Sequence, residues 1–212
     1  MLAVVLGQRI WREHDAIVSV LAENGERIDA LAQGLRKITA KNAAALNAPS
    51  LVMIEIVPGR EISRVGSVQI VDVYSKIKGD PKRLALVAVF LSAVNMLVVE
   101  RDPQPIIFDI IFSFQKILSE SNRVNLRFAD IATLRLFSVI GFAPTADSPE
   151  LRKVSPEMKR DILSASGAEW ARNLIGGRDF GVKFSDFVYK YISYHSPRPI
   201  PDWRSLLDIF WK

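Results

Sequence analysis

The chain has 212 residues, 49% of them hydrophobic and 24% charged, which allows one large core or two modest ones. Its formal net charge of +5 favours an anionic partner without defining one. The absence of cysteine excludes a disulfide framework and a thiolate metal site, and His14 and His195 lie too far apart in sequence for a helix-borne ligand pair, so neither a metal nor a cofactor is expected.

The apolar run at residues 2–6 lacks the preceding charge and the length of a secretory signal and predicts a first strand. Arg9 and Arg12 flank Trp11 in the loop that follows. Such a group either stacks a base and holds its phosphate, or leaves Trp11 over a barrel mouth with the arginines in water. Glu13 and Asp15 are too few acids for the metal site of a nuclease and read as strand-entry residues that pair with nearby arginines. Ile17, Val18, Val20 and Leu21 build a second strand, and Asn24-Gly25 after it tolerates the positive φ of a type I′ hairpin turn. In the returning strand, 27–32, Ile28, Ala30 and Ala32 alternate with Arg27, Asp29 and Leu31.

The segment QGLRKITAK at 33–41 carries Arg36, Lys37 and Lys41 and no acid. Two readings are open for it: contact with a phosphate backbone, or a solvated basic loop without a partner. An Ala-rich stretch at 42–48 suits a helical turn, Pro49 precedes a strand at 51–57, and Pro58-Gly59-Arg60 turns the chain back. Arg60 and Arg64 near that hairpin end share the ambiguity of Arg9 and Arg12. The last strand, 64–74, changes apolar parity between Ile70 and Val71, which predicts a bulge. About five short strands suit an OB-type barrel, whose open face and loops commonly bind oligonucleotides; a small barrel used for protein docking fits the same pattern.

Strand periodicity does not return after Asp80, which can cap a helix that starts with Pro81, so the domain boundary is set there: a barrel at 1–79 and a helical domain at 80–212. Helices are predicted at 81–100, 105–119, 123–140, 156–165, 167–175 and 182–194. The apolar run 84–99 contains Ser92 and Asn95 and is shorter than the roughly 20 residues of a bilayer span. It predicts a buried central helix, no membrane association, and a cytoplasmic protein. Prolines extend the tail at 197–201, and 203–211 forms a short helix or a packed arm. Gly176-Gly177-Arg178 lacks the lysine-hydroxyl ending of a nucleotide-hydrolysing loop. His195 at a helix end suits dipole capping rather than catalysis. Arg123, Arg127 and Arg135 fall within one broad sector of the helix at 123–140, beside apolar Leu134, Phe137 and Phe142. That sector either receives an acidic peptide or is a solvated face whose arginine stems cover the core.

Several segments in order resemble the bacterial RecO family of recombination mediators: Glu13 and Asp15 ahead of IVSVLAENGERIDALAQG, the basic loop, LNAPSLVMIEIVPGREISRV, LRLFSVIGFAP, SPEMKRDI and YKYISYHSPRPIPDWRSL. The resemblance implies a mixed α+β chain, an OB-fold followed by a helical domain, without enzymatic turnover or catalytic residues. It implies binding of single- and double-stranded DNA, strand annealing, and help in loading recombinase onto DNA coated by single-strand-binding protein. The implied partners are DNA, the RecR ring, and the acidic, hydrophobic-ended tail of single-strand-binding protein, which docks in the helical domain, where Arg135 occupies the family's arginine position. Many members hold a zinc ion with four cysteines after the Gly-aromatic-x-Pro element; here that region reads TADSPELRKVSPEMKRD, with no metal to fix residues 145–154. The competing readings are a protein-docking adaptor whose barrel never meets nucleic acid and, with less support, a metal-dependent nuclease.

Overall fold

A computed structural model of the chain describes residues 1–99, 102–168, 170–176 and 181–200. Five alternating segments form strands β1 (Leu2–Ile10), β2 (Ala16–Ala22), β3 (Arg27–Ala32), β4 (Leu51–Val57) and β5 (Ser63–Asp72). They close into a barrel in the order β1-β2-β3-β5-β4. All neighbours are antiparallel except β3 and β5, which pair in parallel through Ala30–Ser63 and Leu31–Arg64. This barrel, followed by helices, is the expected α+β arrangement.

Two irregularities shape the barrel. In β5, Leu51 of β4 pairs with Asp72 and Val52 with Ile70, so Val71 is the extra residue of a bulge at the expected parity change. In β1, Val5 pairs with Val20 and Gly7 with Ser19, so Leu6 is extra and the strand continues to Ile10, four residues beyond its apolar run. Backbone pairing, not side-chain polarity, sets that end, and it places Arg9 on a strand rather than in a loop.

The alternation divides two cores. Val5, Val18, Val20, Ala32, Val52 and Ile54 fill the barrel interior, with Leu35 and Leu46 closing over them. Val4, Leu6, Leu21 and Leu51 point outward into a larger core with Phe90, Phe114 and Phe137 of the helices. Each such side chain stabilises by about 1.5–3 kcal/mol when fully buried.

The short helix α1 (Ser75–Lys78), unanticipated from sequence, buries Ile77 in this second core. In α2 (Pro81–Leu97), the Asp80 side chain accepts from the N–H groups of Lys82 and Arg83, and Pro81 takes the first helical position, as expected. Extended Val98 ends α2 before the expected residue 100. Among the described residues no helix is long and apolar enough to cross a membrane. Then follow α3 (Pro105–Glu120), α4 (Arg127–Phe137), α5 (Pro156–Ser166), α6 (Trp170–Gly176) and α7 (Val182–His195). Helix α4 begins four residues later than expected, from a turn in which Phe128 N–H bonds the Asn125 carbonyl. Arg123 therefore precedes the helix. A π-turn at Ser138–Phe142 contains Gly141 with φ 99°, a conformation that glycine adopts without a Cβ penalty. Residues 42–48 form turns with one helical bond, Leu46 N–H to the Asn42 carbonyl at 3.0 Å. The arm expected at 203–211, and Gly177-Arg178, lie outside the described residues.

The cysteine-free segment is held by named contacts. Ser148 Oγ accepts from Thr145 N–H at 2.9 Å, Lys159 Nζ donates to the Ala146 carbonyl at 2.7 Å, and Pro149–Lys153 forms a 3-10 turn that buries Leu151. Ser148-Pro149-Glu150 repeats the cap-and-proline pattern of Ser155-Pro156-Glu157, a signal that could have predicted this turn.

Candidate nucleic-acid interface

The β1–β2 loop and the 33–41 loop are built as one unit. Trp11 N–H bonds the Asp15 carbonyl at 3.1 Å, and the Asp15 carboxylate accepts from Gly34 N–H at 2.8 Å. Gly34 takes φ 65°, so the chain reverses there and buried Leu35 anchors the loop in the barrel core. Arg36 then reaches back: its N–H bonds the His14 carbonyl at 3.0 Å, and its Nη1 donates to the carbonyls of Glu13 at 3.0 Å and Arg12 at 3.5 Å. Carbonyls fix the guanidinium but do not cancel its charge, so Asp15 and Glu13 serve the loop through a backbone N–H and a carbonyl rather than through the expected carboxylate–arginine pairing.

Arg12, Arg36, Lys37 and Lys41 are exposed, and none has an ion pair with a described carboxylate. Trp11 beside them is 47% exposed. Lys41 lines a small cavity of about 100 Å³ with Val65 of β5, next to Arg64, whose partner Leu31 lies one residue before the end of β3. The structure thus brings Arg12, Arg36, Lys37 and Trp11 together, and sets Lys41 and Arg64 near the root of the same loop.

Arg9 and Arg60 face a different setting. A broad concavity of about 950 Å³ is lined by Arg9, Trp11, Arg27 and Arg60, but also by Glu26, Asp29, Glu55 and Glu61. Its charge is mixed, and Arg9 Nη2 lies 3.7 Å from the Asp29 carboxylate.

The arginine sector of the helical half does not form a surface. Arg127 is buried, its Nη1 2.6 Å from Asp161 and its guanidinium 4.7 Å from the centre of the Phe184 ring. Leu134 and Phe137 are fully buried. These three belong to the core, which corrects the reading that placed them on an accessible sector. Arg135 is half-buried, donates to the Ser166 carbonyl at 2.9 Å, and has its pKa lowered by burial. Phe142 is 37% exposed and stacks on Phe137 with centroids 5.1 Å apart, while Arg123 is exposed beyond the helix. His195, the last residue of α7, meets Glu150 at 3.0 Å, and the Glu150 carboxyl is held below its usual range by its own backbone N–H and by His195.

A cluster that sequence reading missed sits where β1–β3 face α2. The Asp29 carboxylate gathers Ser19 Oγ at 2.6 Å and Arg27 Nη2 at 3.1 Å, and Arg27 Nε donates to Asn95 of α2 at 2.9 Å. The available signal was Arg27 and Asp29 two residues apart, hence on one face of β3, with opposite charges. Among the described residues no three His, Asp or Glu side chains converge as metal ligands do.

Comparison with known proteins bears on the barrel and on part of the helical half. The family described as Recombination protein O N terminal matches residues 1–74. The DNA repair protein RecO of Cutibacterium acnes is 30% identical over 148 residues, 67% of this chain and 60% of the relative. The same-named proteins of Acetivibrio thermocellus and Symbiobacterium thermophilum are each 25% identical, over 136 and 142 residues, 64% and 67% of this chain. The chain spans between 54% and 60% of the length of these curated relatives.

Proposed function

The chain belongs to the RecO family, and from that premise we propose that it is a DNA-binding recombination mediator that makes and breaks no bond. Its relatives are named as DNA repair proteins. One observation carries the reading: Arg12, Arg36 and Lys37 are held on two loops locked by main-chain bonds, with their charges exposed beside Trp11. Loops fixed in this way lose little entropy on meeting a phosphate backbone, and the exposed indole offers a stacking surface for a base. Neutralising two strands at once lowers their repulsion, so complementary strands pair on the protein. Lys41, Arg64, Arg60 and Arg9 extend the contact along the barrel.

Within this proposal residues 1–79 carry DNA, and the helical part from Asp80 onward carries partners: the tail of single-strand-binding protein, the RecR ring, and through them recombinase loading. For the tail, half-buried Arg135 and exposed Phe142 and Arg123 are the contact groups, with Arg127, Leu134 and Phe137 supporting them from below.

The test is binding of a fluorescent single-stranded oligonucleotide across a salt series. Each phosphate contact contributes about 0.7 to the slope of log affinity against log salt. Replacing Arg36 and Lys37 together by alanine should flatten the slope by about 1.4. An unchanged slope removes the loop from the interface. Complete absence of binding by the wild type leaves the protein-docking adaptor as the reading.

A further inference from the structure

A second cavity, of about 310 Å³, lies between the outer face of the barrel and α2. Its floor is the row Gly7–Ser19–Asp29, in register across β1, β2 and β3, and its lid is α2. The strand side is polar, the helix side mostly apolar, with Leu84, Val87 and Leu91. Small residues keep it open: a methyl group added at Gly7 would meet no heavy atom within 4 Å, and Ala88 and Ser92 face it from the helix.

The charge inside is balanced. Arg27 is neutralised by Asp29 at 3.1 Å, and both side chains are largely buried, at 12% and 16% exposure. An anion driven into this space would lose its hydration and meet the Asp29 carboxylate; a neutral ring with donors and acceptors at its edge would not. Asp29 Oδ2 is an acceptor, and the amide nitrogen of Asn95 is a donor not used in its bond to Arg27. At the mouth, Arg9 is paired with Asp29 at 3.7 Å but 59% exposed, so its solvent-facing N–H groups remain for a phosphate. Its volume lies at the lower limit of roughly 300 Å³ for small-molecule sites, which suits one ring system and not a peptide segment. Arg9, Arg27 and Asp29 line both this cavity and the broad concavity that contains Trp11, so a strand in the concavity passes the cavity's mouth.

We propose that this cleft takes one unstacked nucleobase from a single strand bound along the barrel, with Arg9 on its phosphate and Trp11 stacking the neighbouring base. The inference rests on the DNA-binding reading above. A base removed from pairing and stacking in this way costs a few kcal/mol in a duplex and much less in a single strand, so the cleft selects single strands.

The test uses the full chain with two oligomers of equal length, one with bases and one fully abasic, at the same salt. The wild type should prefer the base-bearing oligomer by about tenfold, in line with the contribution of a base contact. Gly7→Leu, which fills the cleft from the barrel side, and Ser92→Leu, from the helix side, should each reduce that preference to the part that Trp11 stacking supplies and leave abasic binding unchanged. In the wild type, an oligomer carrying photoreactive iodouracil should crosslink to residues of α2 around Ala88 and Ser92, a readout independent of any variant's folding. A preference that neither substitution reduces, or crosslinks confined to Trp11 and its concavity, overturns the base pocket and leaves DNA binding standing. Binding of neither oligomer by the wild type overturns both.

Discussion

In the barrel loops Arg36 donates to two main-chain carbonyls and stays exposed, whereas in the helical half Arg127 is 6% exposed, against Asp161 and Phe184. Both arise from short-range clusters of cations in the sequence. What separates them is the number of partners that the fold delivers. A loop on a small barrel has solvent on most sides, so its cations keep their charge available. A helix packed among α2, α5 and α7 is surrounded, and its arginines are drawn into pairing and capping. Arg83 behaves like Arg127: it bonds Asp80 and the carbonyls of Leu118 and Ser121, closing the end of α3. Cationic spacing thus reads as interface only where the element has a free side.

The sharpest way to break this contrast is to remove Arg127. Arg127→Ala leaves Asp161 buried without its partner and should cost about 3–5 kcal/mol in urea denaturation, with DNA affinity of the folded fraction unchanged. Arg36→Ala should cost less than about 1 kcal/mol, because water replaces its carbonyl contacts, and should weaken DNA binding. If the two variants are equally stable, burial does not distinguish the two kinds of arginine.

Much of the barrel is legible in the amino-acid sequence. The hairpin at Asn24-Gly25 and the parity change at Ile70–Val71 each act within a few residues and lie where expected. The same holds for Asp80-Pro81 and Ser155-Pro156, because capping is also local. Only Gly25 takes a positive φ, however, so the turn is not the expected type I′, and in β3 residues Ala30, Leu31 and Ala32 are all buried where alternation was expected. The other misread features depend on distant partners. β1 runs on to Ile10 because β2 offers a backbone ladder, and the Arg9–Asp29 contact joins the first and third strands. Arg127 is buried because Asp161, on another helix, reaches it. The cleft beside Gly7 needs α2 as its lid and so has no local signature. The charge on the 33–41 loop is readable from its residues; its attachment to the β1–β2 loop through Asp15 and Arg36 is not.

A second probe concerns the open part of the helical half. If partners dock there, Phe142 is the group to test, since Arg135 also holds the end of α5 through Ser166 and its loss would confound stability with binding. Phe142→Ala should reduce the affinity of an acidic, phenylalanine-ended peptide by about tenfold, as expected for an aromatic anchor, and lower stability only slightly, because the ring is already 37% exposed. Unchanged peptide affinity, measured by fluorescence anisotropy, would move the docking site away from the π-turn.

The smallest effect tests how the cysteine-free segment is fixed. Glu150 joins the 3-10 turn to His195 at the end of α7, and its carboxyl is held below the usual carboxylate range, first by its own backbone N–H and then by His195. A carboxyl whose folded pKa is depressed contributes stability that is fully present above its unfolded pKa and disappears as pH falls through the folded value. Glu150→Gln should therefore be less stable than wild type near neutrality, by on the order of half a kcal/mol for a partly exposed pair. The two proteins should converge as the solution is acidified through the carboxylate range, while the barrel loops, which make no contact with Glu150, bind oligonucleotide equally in both at neutral pH. A difference that persists below that range would mean that packing of Leu151, and not the charged contact, holds the turn and orders residues 145–154.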